Sequence, residues 1–168
     1  MSVLSFWRRR QPSARSGKRV LVPFTGGELD PVVLDAAIRV ARAEEATLVP
    51  AYLIVTPLEY RLDAPMQKQV GVAMPLLEAV EHAGLRAGLP VDARVETGRT
   101  PTHALQRLWD AERFDRIVAP APAGRNHGFT PKELQWILVN APCETLILRP
   151  DPTLIEGHRL ARSLEAVA

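Results

Sequence analysis

The residues of this chain best suited to bind a ligand lie around the predicted start of a helix. Arg125, His127, Thr130 and Lys132 cluster around Gly128. A helix N-terminus presents unpaired backbone N–H groups and a partial positive charge, so such a cluster indicates anion or phosphate binding. The competing interpretation is that Thr130 caps its helix and Arg125 is solvated. A capping residue is satisfied without any ligand, and for that reason we favour the capping interpretation.

The start of the same loop weighs against a phosphate site. Phosphate loops depend on glycines, which let the backbone curl closely around the anion while its N–H groups point inward. This chain instead places prolines at 120 and 122, and proline has no N–H to donate. The loop therefore has the position of a ligand site but lacks donors at its start.

No other pattern predicts catalysis or metal binding. The histidines at 82, 103, 127 and 158 show no metal-ligand spacing, and the one cysteine, Cys143, adds no partner. No serine stands on a nucleophile elbow. Thr25, Gly26 and Gly27 are too short a motif for a nucleotide fingerprint and indicate a turn. We expect a protein without catalytic activity.

Strands and helices alternate along the chain. The predicted strands are 18–24, 47–55, 91–96, 115–119 and 145–148. Helices are expected after the caps Asp30 and Thr100, over about 75–87, and from Pro131 to about 140 behind a capping box. Leu85 and Leu138 are expected to face inward, and Pro50 suggests an edge strand or a bulge. This alternation predicts a parallel sheet covered by helices on both faces.

In such a sheet the ligand crevice lies beyond the carboxyl ends of the strands, where the strand order reverses. The loops expected there are 25–29, after the first strand, and 120–129, after the fourth. Trp109 and Trp136 are expected in the core or an interface, and Cys143 is expected to pack as a small hydrophobe.

Charge is unevenly distributed. Residues 1–19 hold six of the 21 lysines and arginines and none of the 19 acidic residues, so 15 cations and 19 acids remain elsewhere. A mildly acidic body argues against nucleic-acid binding. With one cysteine and no long apolar run, the chain is expected to be cytoplasmic. Residues 1–17 are expected to form a basic, disordered tail, and 151–168 a C-terminal extension whose apolar spacing is that of a helix.

Three features point to a known family: the run Arg19, Val20, Leu21, Val22, Pro23, the element order, and Asn140, Ala141, Pro142, Cys143 leading into residues 145–149. On these features the chain resembles the universal stress proteins over about residues 18–149, taken as a domain from 18 to 150. The resemblance implies a three-layer α/β/α sandwich resembling the adenine-nucleotide alpha-hydrolase-like fold, with a five-stranded parallel sheet in the order 3-2-1-4-5. It also implies a homodimer and, in many members, ATP binding.

The ATP-binding members of that family resemble one another in a G-x-x-G-x9-G-[ST] motif and in an Asp after the first strand. In this sequence Thr25 stands where those members have the Asp. The first two motif glycines are replaced by Pro120 and Ala123, although Gly124 follows one residue later, and Pro131 and Lys132 replace the final Gly and Ser or Thr. The resemblance therefore implies ATP binding that is weak or lost. Residues left for an adenine nucleotide such as ATP or AMP are Thr25, Gly26, Gly124, Arg125, His127, Gly128, Thr130 and Lys132.

Three hypotheses follow. The first is a non-catalytic, dimeric regulatory or stress-response module for which no cofactor is expected. The second is a true ATP or AMP binder with an atypical loop, and this hypothesis includes a slow ATPase. The third is an adaptor whose basic aromatic tail, with Phe6 and Trp7 beside three arginines, docks on a membrane protein or an anionic membrane. The dimer is expected to form through the edge of the fifth strand, at Thr145, Leu146, Ile147 and Leu148.

Overall fold

The computed structural model describes residues 17–122 and 128–149. Its strands are β1 (Arg19–Phe24), β2 (Thr47–Val55), β3 (Arg94–Gly98), β4 (Arg116–Pro120) and β5 (Glu144–Leu148). The helices are α1 (Pro31–Ala43), α2 (Gln67–Arg86), α3 (Pro101–Ala111) and α4 (Pro131–Asn140). The predicted tail, apart from Gly17, and the predicted extension 151–168 lie outside the described residues.

The strands form one parallel sheet in the order β3-β2-β1-β4-β5. Helices α1 and α2 cover one face and α3 and α4 the other, so that a hydrophobic cluster lies on each side of the sheet. Residues of β1 alternate between the two clusters: Val20 and Val22 join one, while Leu21 joins the other. Both faces are therefore buried, as a parallel sheet requires, and the predicted fold class and strand order are confirmed.

Helix starts follow the signals in the sequence. Asp30 and Thr100 cap α1 and α3 with side-chain oxygens, and each is followed by proline. At α4, Thr130 and Glu133 form a reciprocal capping box. Because these residues engage N–H groups that would otherwise be unpaired, the three predicted helix starts are confirmed.

Helix α2 begins earlier than the predicted start at about residue 75. It begins at Gln67 and carries Pro75 in its interior. Proline removes one helical hydrogen bond and crowds the carbonyl four residues earlier. That carbonyl belongs to Gly71, and both Gly71 and Pro75 are exposed, so water can reach the freed group. The helix therefore continues through the proline.

Three other expectations are wrong. Leu85 and Leu138 are 54% and 59% exposed, because each lies on the outer side of its helix. Pro50 lies in an interior strand rather than at an edge. The pairings Leu48 with Val91 and Ala51 with Arg94 keep one register, so there is no bulge either. Pro50 lies between these two pairings, where the hydrogen-bond ladder between β2 and β3 is interrupted. Its missing N–H therefore removes no hydrogen bond from that ladder.

Candidate functional site

The sheet has its switch point between β1 and β4. From β1 the chain moves to β2 and β3 on one side, whereas β4 leads to β5 on the other. Beyond the carboxyl ends of these two strands lies a small cleft that is open to solvent. It is lined by Phe24, Thr25, Glu28, Leu29, Asp30, Pro120, Ala121 and Gly128. Ligands of open α/β sheets bind at this position.

The β1 side of the cleft is rigidly held. The Thr25 hydroxyl donates to the carbonyl of Leu53 on β2 at 3.0 Å. Phe24 packs edge-on against Tyr52, with the ring centroids 5.3 Å apart. Burial raises the pKa of Tyr52, and a hydrogen bond with the backbone of Gly26 opposes that rise. Thr25 therefore directs its hydroxyl at the sheet, where it stabilises the strand end.

The β4 side is closed at its base. The N–H of Ala121 donates to the carbonyl of Leu148 at 2.7 Å, and the N–H of Phe129 donates to the carbonyl of Pro120 at 3.0 Å. Phe129 is fully buried in the core. Gly128 has φ +91°, and a Cβ there would lie 2.8 Å from backbone atoms of Pro120 and Ala121. Both the conformation and the close approach require glycine.

The start of α4 is also internally satisfied. The N–H of Thr130 donates to Oε2 of Glu133 at 2.8 Å, and the N–H of Glu133 donates to Oγ1 of Thr130 at 3.3 Å. Pro131 has no N–H. Lys132 is exposed beside them. This helix start is the place where the sequence suggested an anion site, and its donors are mostly engaged within the protein.

The predicted site residues are only partly brought together. Thr25 and Gly128 line the cleft, and Gly26 lies next to Thr25, exposed and with φ +77°. Thr130 and Lys132 lie at the start of α4. Gly124, Arg125 and His127 lie outside the described residues.

Glu28, Leu29 and Ala121 also line the cleft. They lie in the loops 25–29 and 120–129 that the sequence placed at the crevice, although they were not among the named ligand residues. Phe24, at the end of the first predicted strand, was not assigned to the site.

A second charged cluster lies at the opposite end of the strands, where they begin. Arg19 pairs with Asp92 at 2.9 Å and with Glu112 at 2.8 Å, and Arg94 pairs with the same two carboxylates. The Arg19 guanidinium also lies 5.1 Å from the ring centroid of Phe114. Ligands of such sheets bind at the carboxyl ends of the strands, so we assign this cluster a structural role. Its ion pairs connect β1, β3 and the end of α3.

The two acids of that cluster differ in their pKa shifts. Burial raises the pKa of Asp92, and the charges of Arg94 and Arg19 only partly offset this effect. Burial also acts on Glu112, but hydrogen bonds and charges from Arg94 and Arg19 outweigh it and lower the pKa of Glu112. The difference agrees with exposure, since the Asp92 side chain is 10% exposed and that of Glu112 is 25% exposed.

Metal chemistry finds no support within residues 17–122 and 128–149, where no three His, Cys, Asp or Glu side chains could jointly hold an ion. Burial, followed by the charge of Asp115, raises the pKa of Cys143 to about 11. This thiol packs against the core as a small hydrophobe. Among the same described residues, no helix combines the length and apolar character needed to cross a membrane.

Comparison with known proteins establishes the class. The model of the universal stress protein family matches residues 17–149, and this chain therefore belongs to the universal stress protein family. A search of curated proteins finds no match.

Solved structures show the same fold at low sequence identity. A universal stress family protein from Burkholderia pseudomallei is 20% identical with a TM-score of 0.56, covering 82% of this chain and 98% of its own. An Arabidopsis thaliana family member with AMP bound is 13% identical, TM-score 0.58, with coverages of 80% and 92%. The Archaeoglobus fulgidus protein in complex with dAMP is 11% identical, TM-score 0.59, with coverages of 77% and 96%.

Proposed function

We propose that this protein is a non-catalytic regulatory module whose switch-point cleft is a small-molecule site with weak or lost ATP binding. One observation carries the proposal: among the described residues at the base of the β4–α4 loop, most backbone donors are engaged inside the protein. A phosphate cradle works only if several N–H groups are free to point at the anion.

Apart from Gly128 and Lys132, every described residue of the loop base either lacks a backbone donor or has it engaged. Pro120, Pro122 and Pro131 have none. Those of Ala121 and Phe129 bond to backbone carbonyls, and those of Thr130 and Glu133 complete the capping box. Ala121 and Phe129 are buried, and buried backbone groups rarely give up such partners without an equivalent replacement. An ATP phosphate would therefore compete with bonds that stabilise the fold.

The nucleoside side of the cleft is altered as well. An aspartate at position 25 could accept hydrogen bonds from a ligand, but Thr25 donates its hydroxyl to Leu53. Position 25 thus contributes to the sheet rather than to ligand recognition. Together with the engaged donors, this arrangement supports weak ATP binding.

A genuine ATP or AMP binder is the second candidate. The cleft lies at the expected position, and the Arabidopsis and Archaeoglobus relatives carry AMP and dAMP. Lys132 is exposed at the start of α4, so it could join Arg125, His127 and Thr130 around a phosphate. This candidate needs a rearranged loop base in addition to those side chains.

Thermal denaturation with and without ATP or AMP separates the two candidates. Any ligand that binds only the folded protein raises the melting temperature by mass action. The first candidate predicts no shift with millimolar ATP and no ATP turnover. The second predicts a shift that Lys132→Ala with Arg125→Ala abolishes, and Lys68→Ala on α2 serves as a control for loss of a surface lysine.

We also propose a homodimer through β5. The two sheet edges differ: on β3, the N–H of Thr97 faces outward and is covered by the Glu96 carboxylate at 3.0 Å. On β5, Leu148 bonds to β4, so alternation turns the backbone of Ile147 outward. Within the described residues no side chain hydrogen-bonds that backbone, and an uncovered edge favours pairing with another chain.

Light scattering after gel filtration tests the dimer. Ile147→Lys introduces a charge at the β5 edge and should yield monomers, because a two-fold axis brings two copies of the charge together. Val72→Lys places the same charge on the exposed side of α2 and should leave the dimer intact. A monomeric parent protein would refute the dimer.

The cellular location and the tail follow as further proposals. Residence in the cytoplasm is supported by the single, unpaired cysteine, Cys143. The adaptor hypothesis concerns residues 1–17, nearly all of them outside the described part of the chain. Deleting them tests it, since loss of membrane association would support the hypothesis and unchanged partitioning would remove it.

A further inference from the structure

Residues 57–65 connect β2 to α2, and none of them adds a buried side chain to the core. Seven of the nine are exposed and the other two are half-buried. The residues at either end differ, since Thr56 and Met66 are only 1% and 6% exposed. Segments with few buried apolar contacts open at low cost while the core stays folded. This connection, the strap, is therefore anchored at both ends and weakly packed between them.

Hydrogen bonds from the end of β3 hold the strap in place. The hydroxyl of Thr97 donates to the carbonyl of Leu62 at 3.2 Å, in the middle of the strap. Nη1 of Arg99 donates to the carbonyl of Thr56 at 3.2 Å and also to that of Pro57. Hydrogen bonds from a charged donor are stronger than those between neutral groups. Arg99 thus fixes the point at which the strap leaves β2.

The start of α3 keeps Arg99 in this position. The backbone N–H of Arg99 donates to Nδ1 of His103 at 3.1 Å. The preceding residue, Gly98, lies so close to α3 that a Cβ would collide with the backbone of Ala104. The carbonyl of Gly98 accepts from the N–H of Thr56 at 2.8 Å. The guanidinium therefore reaches the strap from a backbone that is itself held by a helix and a strand.

A buried polar group opposes the closed position of the strap. Among the described residues, nothing bonds to Oγ1 of Thr56. By alternation along β2 and β3, Thr56 and Thr97 lie on the face of the sheet that holds Ile54 and Val95. The bond from Thr97 to Leu62 shows that the strap crosses this face. A buried hydroxyl without a partner costs free energy, which it recovers when water reaches it.

We propose that the strap is a conformational latch, which opens as a unit while the sheet stays folded. Arg99 holds the latch closed, and the unpaired hydroxyl of Thr56 favours opening. Opening makes Thr56 accessible at the carboxyl ends of β2 and β3, the end of the sheet at which ligands of such folds bind. The latch goes beyond the proposed function, because it concerns a different pair of strands from the switch-point cleft.

Hydrogen exchange of single backbone amides, followed by NMR, tests the latch without any ligand. The reporters are the N–H groups of Tyr60 and Ala64, which bond to the carbonyls of Pro57 and Arg61 within the strap at 3.1 and 3.0 Å. Their exchange rates follow the population of the open strap. Arg99→Ala should raise both rates about tenfold or more, because two hydrogen bonds from a charged donor are lost. Arg99→Lys should raise them less, since lysine keeps a charged donor.

Three controls isolate the effect. Arg61→Ala removes a charge within the strap itself, but the ion pair of Arg61 with Asp63 joins side chains that are 86% and 71% exposed. Its loss should change the rates by no more than about twofold. Thr56→Val replaces the unpaired hydroxyl with a methyl group of similar size and should slow both reporters about fivefold or more. Amides of β1, in the middle of the sheet, should exchange at unchanged rates in the Arg99 variants.

Each outcome decides one part of the proposal. Faster exchange in the strap of Arg99→Ala, with β1 unchanged, supports the latch. Unchanged reporters overturn the role of Arg99, and an equal acceleration of the β1 amides overturns local opening. Faster exchange in Thr56→Val would show that the hydroxyl stabilises the closed strap, contrary to the proposal. Reporters without protection in the parent protein would refute the closed strap itself.

Discussion

Gly128 closes the loop beside the cleft, and replacing it tests that closure. Its φ of +91° belongs to the left-handed region, where an L side chain costs about 1–2 kcal/mol. The new Cβ of Gly128→Ala would also lie 2.8 Å from the carbonyl carbon and oxygen of Ala121 and the carbonyl oxygen of Pro120. These are backbone atoms fixed by the sheet, and overpacking of this kind costs about 1–3 kcal/mol.

The two terms together predict a loss of about 2–5 kcal/mol in the free energy of unfolding. For a domain of this size, that corresponds to a melting temperature lower by about 5–15 °C. Urea denaturation followed by far-ultraviolet circular dichroism measures the loss directly, provided that the denaturant slope is unchanged.

Two other glycines serve as matched controls. Gly88 has φ +79°, but a Cβ there meets no atom within 4 Å. Gly88→Ala should therefore lose only the conformational term of about 1–2 kcal/mol. Gly71 is helical with open space around it, and alanine there should stabilise the protein by about 0.5–1 kcal/mol. Equal losses in Gly128→Ala and Gly88→Ala would refute the close approach at the loop base.

Three further predictions concern regions outside the cleft. Because its pKa is about 11, Cys143 should react with iodoacetamide at pH 8 about 100-fold more slowly in the folded than in the unfolded protein, and equal rates would contradict this. Against the opposing effect of burial, hydrogen bonds and charges from Arg94 and Arg19 lower the pKa of Glu112 below its usual 4.5, so its contribution to stability is present above that pH and is lost as the pH falls through the folded pKa. Glu112→Gln should therefore cost about 1 kcal/mol at pH 7 and less in acid, whereas a pH-independent cost would argue against it. The ring of Trp109 stacks on that of Trp136, with the centroids 5.3 Å apart. Trp109→Ala should therefore lower the free energy of unfolding, measured by urea denaturation, by about 2 kcal/mol and Trp109→Phe by clearly less, whereas equal losses would show that stacking contributes little.

Much of the fold was predictable because its signals are local. The caps Asp30, Thr100 and Thr130 and the prolines that follow them mark helix starts through hydrogen bonds within one turn. The inward and outward positions of Leu85 and Leu138 were not predictable, because apolar spacing does not say how wide the covered stripe of a helix is. Helix α2 was underestimated since the cost of Pro75 depends on whether Gly71 is exposed.

The site was predictable in position but not in its internal bonding. Strand ends placed Thr25 and Gly128 at one crevice, since parallel strands end at the same edge of the sheet. The hydrogen bond from Thr25 to Leu53 joins residues that are distant in sequence. The hydrogen bond from Phe129 to Pro120 depends on how the loop packs against the core. Only the structure shows that these groups already have partners.

Equilibrium dialysis of the folded protein against labelled ATP tests the central claim, namely that the switch-point cleft lacks a working phosphate cradle. Because the donors of Ala121, Phe129, Thr130 and Glu133 are engaged, we expect no saturable binding up to about 1 mM ATP. The binding free energy would then be no more favourable than about −4 kcal/mol. Saturation at one ATP per chain in the micromolar range would contradict the claim.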